Sequence, residues 1–299
     1  MNRRILFRAT IGAAVLVAPG MAAQFMRAQA SATDWEKAAG GKMAFEVASV
    51  KQGRSVLPPE LGQRPTSNVP LGPGDVYSAT GGLFIATNIA LISYITFAYK
   101  TTPDQMRVVR SEVPNWVFSD HFDIHATAKG NPTKDQMRLM MQSLLAERFK
   151  LAARIVTRQL PVYALVLVKP GETGPQLQPH SDGTPCDDSC GTFQSQLVSG
   201  RTHVVGRDMT MGLIATYLPT FSRTLDRPII DQTRLSGNFD LTIEFTPDRG
   251  EPLPRNMQAD VSAPTFLEAL KDQLGLKLVA TTGAVDFLVI DHIEEPTPN

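Results

Sequence analysis

Only two cysteines occur in this chain, Cys186 and Cys190, and they stand together in CDDSCG. Two thiolates with no histidine beside them are an incomplete zinc site. A surplus of charge of either sign is missing too, since 29 Lys and Arg face 29 Asp and Glu. No apolar run is long enough to span a membrane: the stretch from Ile11 to Ala18 lies between Arg8 and Pro19-Gly20, whereas a spanning helix needs roughly 20 apolar residues. A permanent membrane anchor is therefore not expected. Catalytic signatures are absent as well. The chain contains no His-Glu-x-x-His, no Gly-x-Ser-x-Gly, no Ser-x-x-Lys and no Gly-rich loop followed by Lys and Ser or Thr, which removes the zinc-peptidase, serine-hydrolase and phosphate-cradle signatures. No cofactor is implied.

The N-terminus, MNRRILFRATIGAAVLVAPGMAAQFMRAQASA, has a basic start, a short apolar centre and Ala28-Gln29-Ala30 as a small-x-small cleavage site. It reads as a signal peptide over residues 1–30. Arg3 and Arg4 followed by Ile5, Leu6 and Phe7 resemble a twin-arginine signal, with Asn2 in place of the usual Ser or Thr; Sec export is the alternative. Cleavage there removes Arg3, Arg4, Arg8 and Arg27 and leaves 25 basic against 29 acidic residues, a charge of −4. Nucleic acid is a poor partner for such a surface. In an exported chain a thiol pair in a polar Gly/Pro/Ser/Asp segment is expected to be oxidised, so Cys186 and Cys190 are read as a disulfide. Closing so short a loop contributes at most about 2 kcal/mol.

The mature sequence is written twice. SDHFDIHATA (119–128) can be laid on SGNFDLTIEF (236–245), so that Phe122-Asp123-Ile124 meets Phe239-Asp240-Leu241. Upstream of the first copy, GGLFIATNIALISYITFAY turns through Asn88 into a helix; upstream of the second, GRTHVVGRDMTMGLIATYLPTF offers Asp208 as a cap. Downstream of the first, Thr133 is the N-cap of a helix carrying Met137, Met140, Met141, Leu144 and Leu145 on one face, a Met stripe read as core. Two strand-like runs follow. Downstream of the second, Phe266, Leu267, Leu270 and Leu274 mark a helix, and LKLVAT, a Thr-Gly turn and VDFLVIDH read as a closing hairpin. Each half thus reads strand–helix–strand–helix–strand–strand, an α+β fold with helices packed on antiparallel or mixed sheets. MAFEVASVK (43–51) is a leading strand. Residues 31–76 hold that strand and a Pro/Gly-rich loop, 77–169 the first unit, 170–196 a linker with the cysteines, and 197–299 the second unit with an inserted loop at 246–264.

His121, Asp123 and His125 alternate along a strand and would share one face, opposite Phe122, Ile124 and Ala126. Metal ligands could be arranged that way. The second copy has Asn238 and Thr242 where the first has His121 and His125, so the shared part is architectural and the histidines are read as polar side chains of a solvent-facing strand. His180, His203 and His292 are scattered.

VPNWVFSDHFDI, PTKDQMRLMMQSLLAERFKL, QLPVYALVLVK, LDRPIIDQTRLSGNFDLTIEFTPD and LEALKDQLGLKL, in that order and closing with VDFLVIDHIEEPTPN, resemble a soil-associated family of exported bacterial proteins of unknown function. The resemblance covers residues 43–299. It implies a domain that also occurs joined to membrane metallopeptidases of the beta-lactam-sensor type, and hence a sensing or binding role outside the cytoplasm. The ending FLEALKDQLGLKLVATTGAVDFLVIDH is more loosely similar to the short N-terminal domain of secretins and TonB-dependent receptors, an interaction module. The expectation is an exported, non-enzymatic binding module for a protein, peptide or small-molecule ligand. The alternative is an extracytoplasmic enzyme of unrecognised type, with a site between the two units.

Overall fold

The computed structural model describes residues 33–53, 64–101, 113–181, 190–250, 253–254 and 258–296. Among them the helices are Asp34–Ala38 (α1), Leu91–Ala98 (α2), Trp116–Ser119 (α3), Lys134–Arg148 (α4), Met211–Tyr217 (α5) and Phe266–Leu274 (α6). The strands are Val47–Gln52 (β1), Thr66–Ser67 (β2), Leu83–Ala90 (β3), His121–Thr127 (β4), Ala152–Leu167 (β5), Leu177–Pro179 (β6), Phe193–Val198 (β7), Arg201–Thr210 (β8), Ile229–Asp231 (β9), Asn238–Phe245 (β10) and Leu276–His292 (β11). They form three sheets, and the fold is α+β. None of the described helices is long and apolar enough to cross a membrane. The expected signal peptide, residues 1–30, lies outside the described residues.

Two of the sheets are four-stranded, in the orders β1-β4-β3-β2 and β6-β10-β8-β7. All their pairings are antiparallel. The alternation of the Phe-Asp motif sets their faces: Phe122 and Ile124 of β4 are buried, as are Phe239 and Leu241 of β10. Asp123 and Asp240 point the other way, and each carboxylate takes up a bulge in the neighbouring strand. In β3 the register slips between Ala86 and Ile89, where Asn88 adopts a left-handed φ of 54° and its N–H donates to Asp123 Oδ1 at 2.7 Å. In β8 Asp208 has φ 53° and its N–H donates to Asp240 Oδ1 at 2.9 Å. Asn and Asp are the side-chain-bearing residues that enter this conformation most readily. Asp208 is thus a bulge residue of β8, whereas the sequence suggested a helix cap. The cap of α5 is Thr210, whose hydroxyl accepts from the Leu213 N–H.

Helices α4 and α6 both begin in a capping box, Thr133 with Gln136 and Thr265 with Glu268. Both are followed by a left-handed residue, Lys150 at φ 51° and Gly275 at φ 70°, which turns the chain into a long strand. Here two expectations fail. The runs after α4 form one strand, β5, and the hairpin expected after α6 is also one strand, β11. Pro161 does not break β5 because it lies outside Tyr163–Leu165, the stretch that β9 flanks, so its missing N–H is not needed by a second neighbour. Gly283 does not make a turn. A Cβ there would stand 2.7 Å from Ile230 Cδ1 and 3.0 Å from Val162 Cγ2, so the glycine marks a close approach of side chains over an extended backbone.

β5 and β11 pair antiparallel along their length, from Leu276 with Leu167 to His292 with Ala152. Lys150 and Gly275 stand 125 positions apart, and so do Gln159 and Ala284, which face each other in the ladder. The ribbon therefore maps onto itself under the offset that relates the two helix ends, as an interface with two-fold symmetry does. Its two ends serve different cores. Leu151 just before β5, Ala153 and Ile155 from its start, and Leu288 and Ile290 from the end of β11 join the cluster around Phe84, Phe122 and Phe149. Leu165 and Leu167 with Leu276 and Leu278 join the cluster around Phe239, Phe245 and Phe266. Each half of the chain thus completes the core of the other, and the described residues form one compact unit.

Candidate functional site

Helix α4 carries two cations into the protein. Lys134 and Arg138 are one helical turn apart, on the stripe that also holds Met141 and Leu145, and the four are buried together. Arg138 is wholly buried; its Nη1 donates to Asp75 Oδ1 at 2.7 Å and to Asp135. Its Nη2 donates to the carbonyls of Gly72, Pro73 and Gly74 at 3.2, 3.0 and 2.7 Å. Phe97 lies against the guanidinium, 5.7 Å from its ring centre to Cζ. Lys134 Nζ donates to the Gly74 carbonyl at 2.5 Å and reaches that of Val76 at 3.5 Å. The loop LGPGDV, 71–76, is therefore held by its backbone, because a Pro/Gly-rich segment without a strand partner needs other donors for its carbonyls.

These charges shift one another. Burial, and then the neighbouring Arg138 guanidinium, push Lys134 down from 10.5 to about 7. Burial raises Asp75, but bonds from Lys100 and Arg138 outweigh it and hold the carboxyl below its ordinary value. Lys100 donates to Asp75 Oδ2 at 2.8 Å and lies 5.8 Å from the centre of the Trp35 ring. Tyr99 is pushed up to about 12 by burial and by Glu36.

The held loop forms one wall of a cleft of about 570 Å³, within the usual range of ligand pockets, roughly 300–1,000 Å³. Pro73, Gly74, Asp75 and Val76 line it with Trp35, Tyr99 and Lys100 on the first half's side. Gly191, Asp208, Thr210, Leu213, Thr216 and Asn238 line it from the second half, and Ile155 and Asp286 from the ribbon. At Gly74 the two sides approach closely: a Cβ on it would stand 2.7 Å from the Gly191 carbonyl oxygen. Thr210 accepts from Leu213 N–H and keeps its own proton to donate; Thr216 donates to Gly212. Formal charges on the lining are three carboxylates, Asp75, Asp208 and Asp286, against Lys100, a field that disfavours anions.

Behind Asp208 sits His180, its side chain 9% exposed. Its Nδ1–H donates to Asp240 Oδ1 at 2.7 Å, and its Nε2 lies 4.0 Å from Asp208 Oδ1. Asn238 Nδ2 donates to the same Asp208 oxygen at 2.6 Å. The corresponding place beside the first bulge is taken by Gly53, whose N–H donates to His121 O as His180 N–H donates to Asn238 O.

The histidines of β4 take ordinary places. His121, Asp123 and His125 share one face of β4; His121 Nδ1 bonds the Ser119 carbonyl, Asp123 holds the bulge, and His125 is exposed. Among the described residues no group of three or more His, Cys, Asp or Glu is placed to hold a metal ion. His203 lies in β8, and His292 pairs with Glu294 at 2.7 Å. Cys190 is buried beside Arg207, whereas Cys186 lies outside the described residues. Sequence reasoning did not single out Lys134, Arg138, Asp75 or Lys100. The one signal was local and concerned the first two: basic residues at the spacing of the Met141 and Leu145 stripe.

The profile of a family described as "Protein of unknown function (DUF3738)" matches residues 92–293. No curated protein and no solved structure matches the chain.

Proposed function

We propose, from the premise that the chain belongs to this family of proteins of unknown function, that it is an exported binding module whose ligand site is the cleft between its halves. The observation that carries this reading is the cleft itself: both halves and the shared ribbon line it, and one wall is held in place by the buried side chains of Lys134 and Arg138. Aromatic surface at Trp35 and Tyr99, hydroxyls at Thr210 and Thr216 and an excess of carboxylates suit a small neutral or cationic ligand with an apolar face. Export rests on the signal-peptide pattern of residues 1–30 and on the resemblance to exported soil-associated proteins. The occurrence of such domains beside sensor-type peptidases favours ligand sensing. Internal duplication is part of the same reading, supported by the matched strand orders, the matched bulges at Asn88 and Asp208, and the self-matching ribbon. A disulfide between Cys186 and Cys190 follows from export.

The test is a ligand panel of neutral, cationic and anionic small molecules and short peptides, titrated calorimetrically into residues 31–299. One-to-one binding, weakened at least tenfold by Trp35→Ala or Thr216→Val in folded protein, is expected. Binding untouched by both changes would move the site elsewhere. The second reading, an enzyme, is favoured by the His180–Asp240 pair behind Asp208, a base-and-orienter arrangement. Turnover in a hydrolase panel that Asp208→Asn abolishes would establish it over simple binding.

A further inference from the structure

We infer that the Gly72–Val76 wall of the cleft is a proton-responsive gate, released when Lys134 takes up a proton and closed when Lys134 is neutral. The inference rests on the cleft being the ligand site, and it concerns how that site is regulated.

The geometry around the lysine sets the direction. In the closed wall its Nζ and Arg138 Nη2 both donate to the Gly74 carbonyl, at 2.5 and 2.7 Å. The two cationic groups can therefore be no farther apart than those two bonds laid end to end. The charges that act on the lysine are Arg138 and Asp135 on α4, Asp75 in the loop and Lys100 in the chain just after α2. With the lysine charged, three cations meet two carboxylates in a cluster whose core, Lys134 and Arg138, is buried and whose Asp75 faces solvent; with a neutral amine the cluster balances. A neutral amine still has N–H bonds to give to Gly74 and Val76, so the loop keeps its contacts when the charge is gone. Lifting the loop lets water reach the nitrogen, and a solvated ammonium is the favoured form there.

The sign follows by linkage. Lys134 has its ordinary value of 10.5 when solvated and about 7 when buried under the loop. Between those values the open form binds more protons than the closed one, so closure strengthens as pH rises through that window and is weakest below it. The wall is held most firmly at the alkaline end of that window and loosens as pH falls toward 7.

Hydrogen exchange of the full mature protein reads the gate without any ligand. After correction for intrinsic exchange rates, the protection of the amides of Gly72, Gly74, Asp75 and Val76 is expected to rise by up to tenfold per pH unit from pH 7 to 9. In Lys134→Met the same amides should show no such trend. Protection that is flat in the wild type, or that rises equally in the variant, overturns the inference. If the variant does not fold, the wild-type Lys134 side chain is followed by heteronuclear NMR. A midpoint in the neutral range that tracks the protection supports the gate, and one at the ordinary lysine value of about 10.4 overturns it. Failure of the ligand panel would remove the binding reading and leave this titration standing; failure of the titration would leave the cleft as a site with a fixed wall.

Discussion

Replacing Arg138 by leucine tests whether the cleft wall is built by that one side chain. The guanidinium has no exposed surface, bonds two carboxylates and three carbonyls, and packs on Phe97. Leucine restores part of the packing and none of the bonds. Breaking a buried charge network by removing one partner costs about 3–5 kcal/mol. Some relief is available here, because Asp75 and Asp135 keep Lys100 at 2.6 and 3.5 Å and the loop carbonyls can turn to water. A loss of about 3 kcal/mol is expected, a large part of a typical stability of roughly 5–15 kcal/mol. Urea unfolding of residues 31–299 should show the midpoint falling by about 1 M, for a slope of about 3 kcal/mol/M. Lys169→Ala is the control: its pair with Glu172 has side chains 74% and 68% exposed, and such pairs contribute about 0–1 kcal/mol. A midpoint shift for Arg138→Leu no larger than the control's would refute the reasoning, because the loop would then be holding itself.

At the two bulges, Asp123→Ala is expected to lower stability by about 1–3 kcal/mol through the orphaned Asn88 N–H. Asp240→Ala should lower it further, since it strips a partner from His180 as well as from the Asp208 N–H; equal losses in urea unfolding would show that the histidine bond contributes nothing. Gly283→Val should destabilise by about 1–3 kcal/mol through overpacking against Ile230 and Val162, and an unchanged melting temperature would argue against the continuous ribbon. The carboxyl of Asp75 is held below 3.8, so its contribution is present above that pH and is lost as pH falls through the lowered value; Asp75→Asn should flatten that part of the acid-unfolding curve, and an unaltered curve would contradict the assignment. Finally, mature protein recovered from the periplasm should take up no alkylating agent at Cys186 or Cys190 without reductant, as intact-mass measurement will read; two alkylated thiols would end the disulfide proposal.

What the chain determines by itself is local. Thr133 with Gln136, and Thr265 with Glu268, announce helix starts because a capping box closes within four residues. Phe122-Asp123-Ile124 and Phe239-Asp240-Leu241 declare which face is buried because a strand alternates every residue. The serial order of such signals in the two halves was legible for the same reason, since each signal is local. The tertiary structure decided what depends on partners distant in sequence. Thr282-Gly283 reads as a turn until Ile230 and Val162 are seen to fill the place of a side chain, and Pro161 reads as a break until the reach of β9 is known. Asp208 reads as a cap until Asp240 is found 2.9 Å from its N–H. Lys134 and Arg138 stood on an apolar stripe in plain view, but a cation there has meaning only once Gly72–Val76, more than fifty residues away, brings carbonyls to it. Local spacing decides conformation and which side chains turn inward; which polar groups satisfy each other inside is settled only when the chain has closed its long-range contacts.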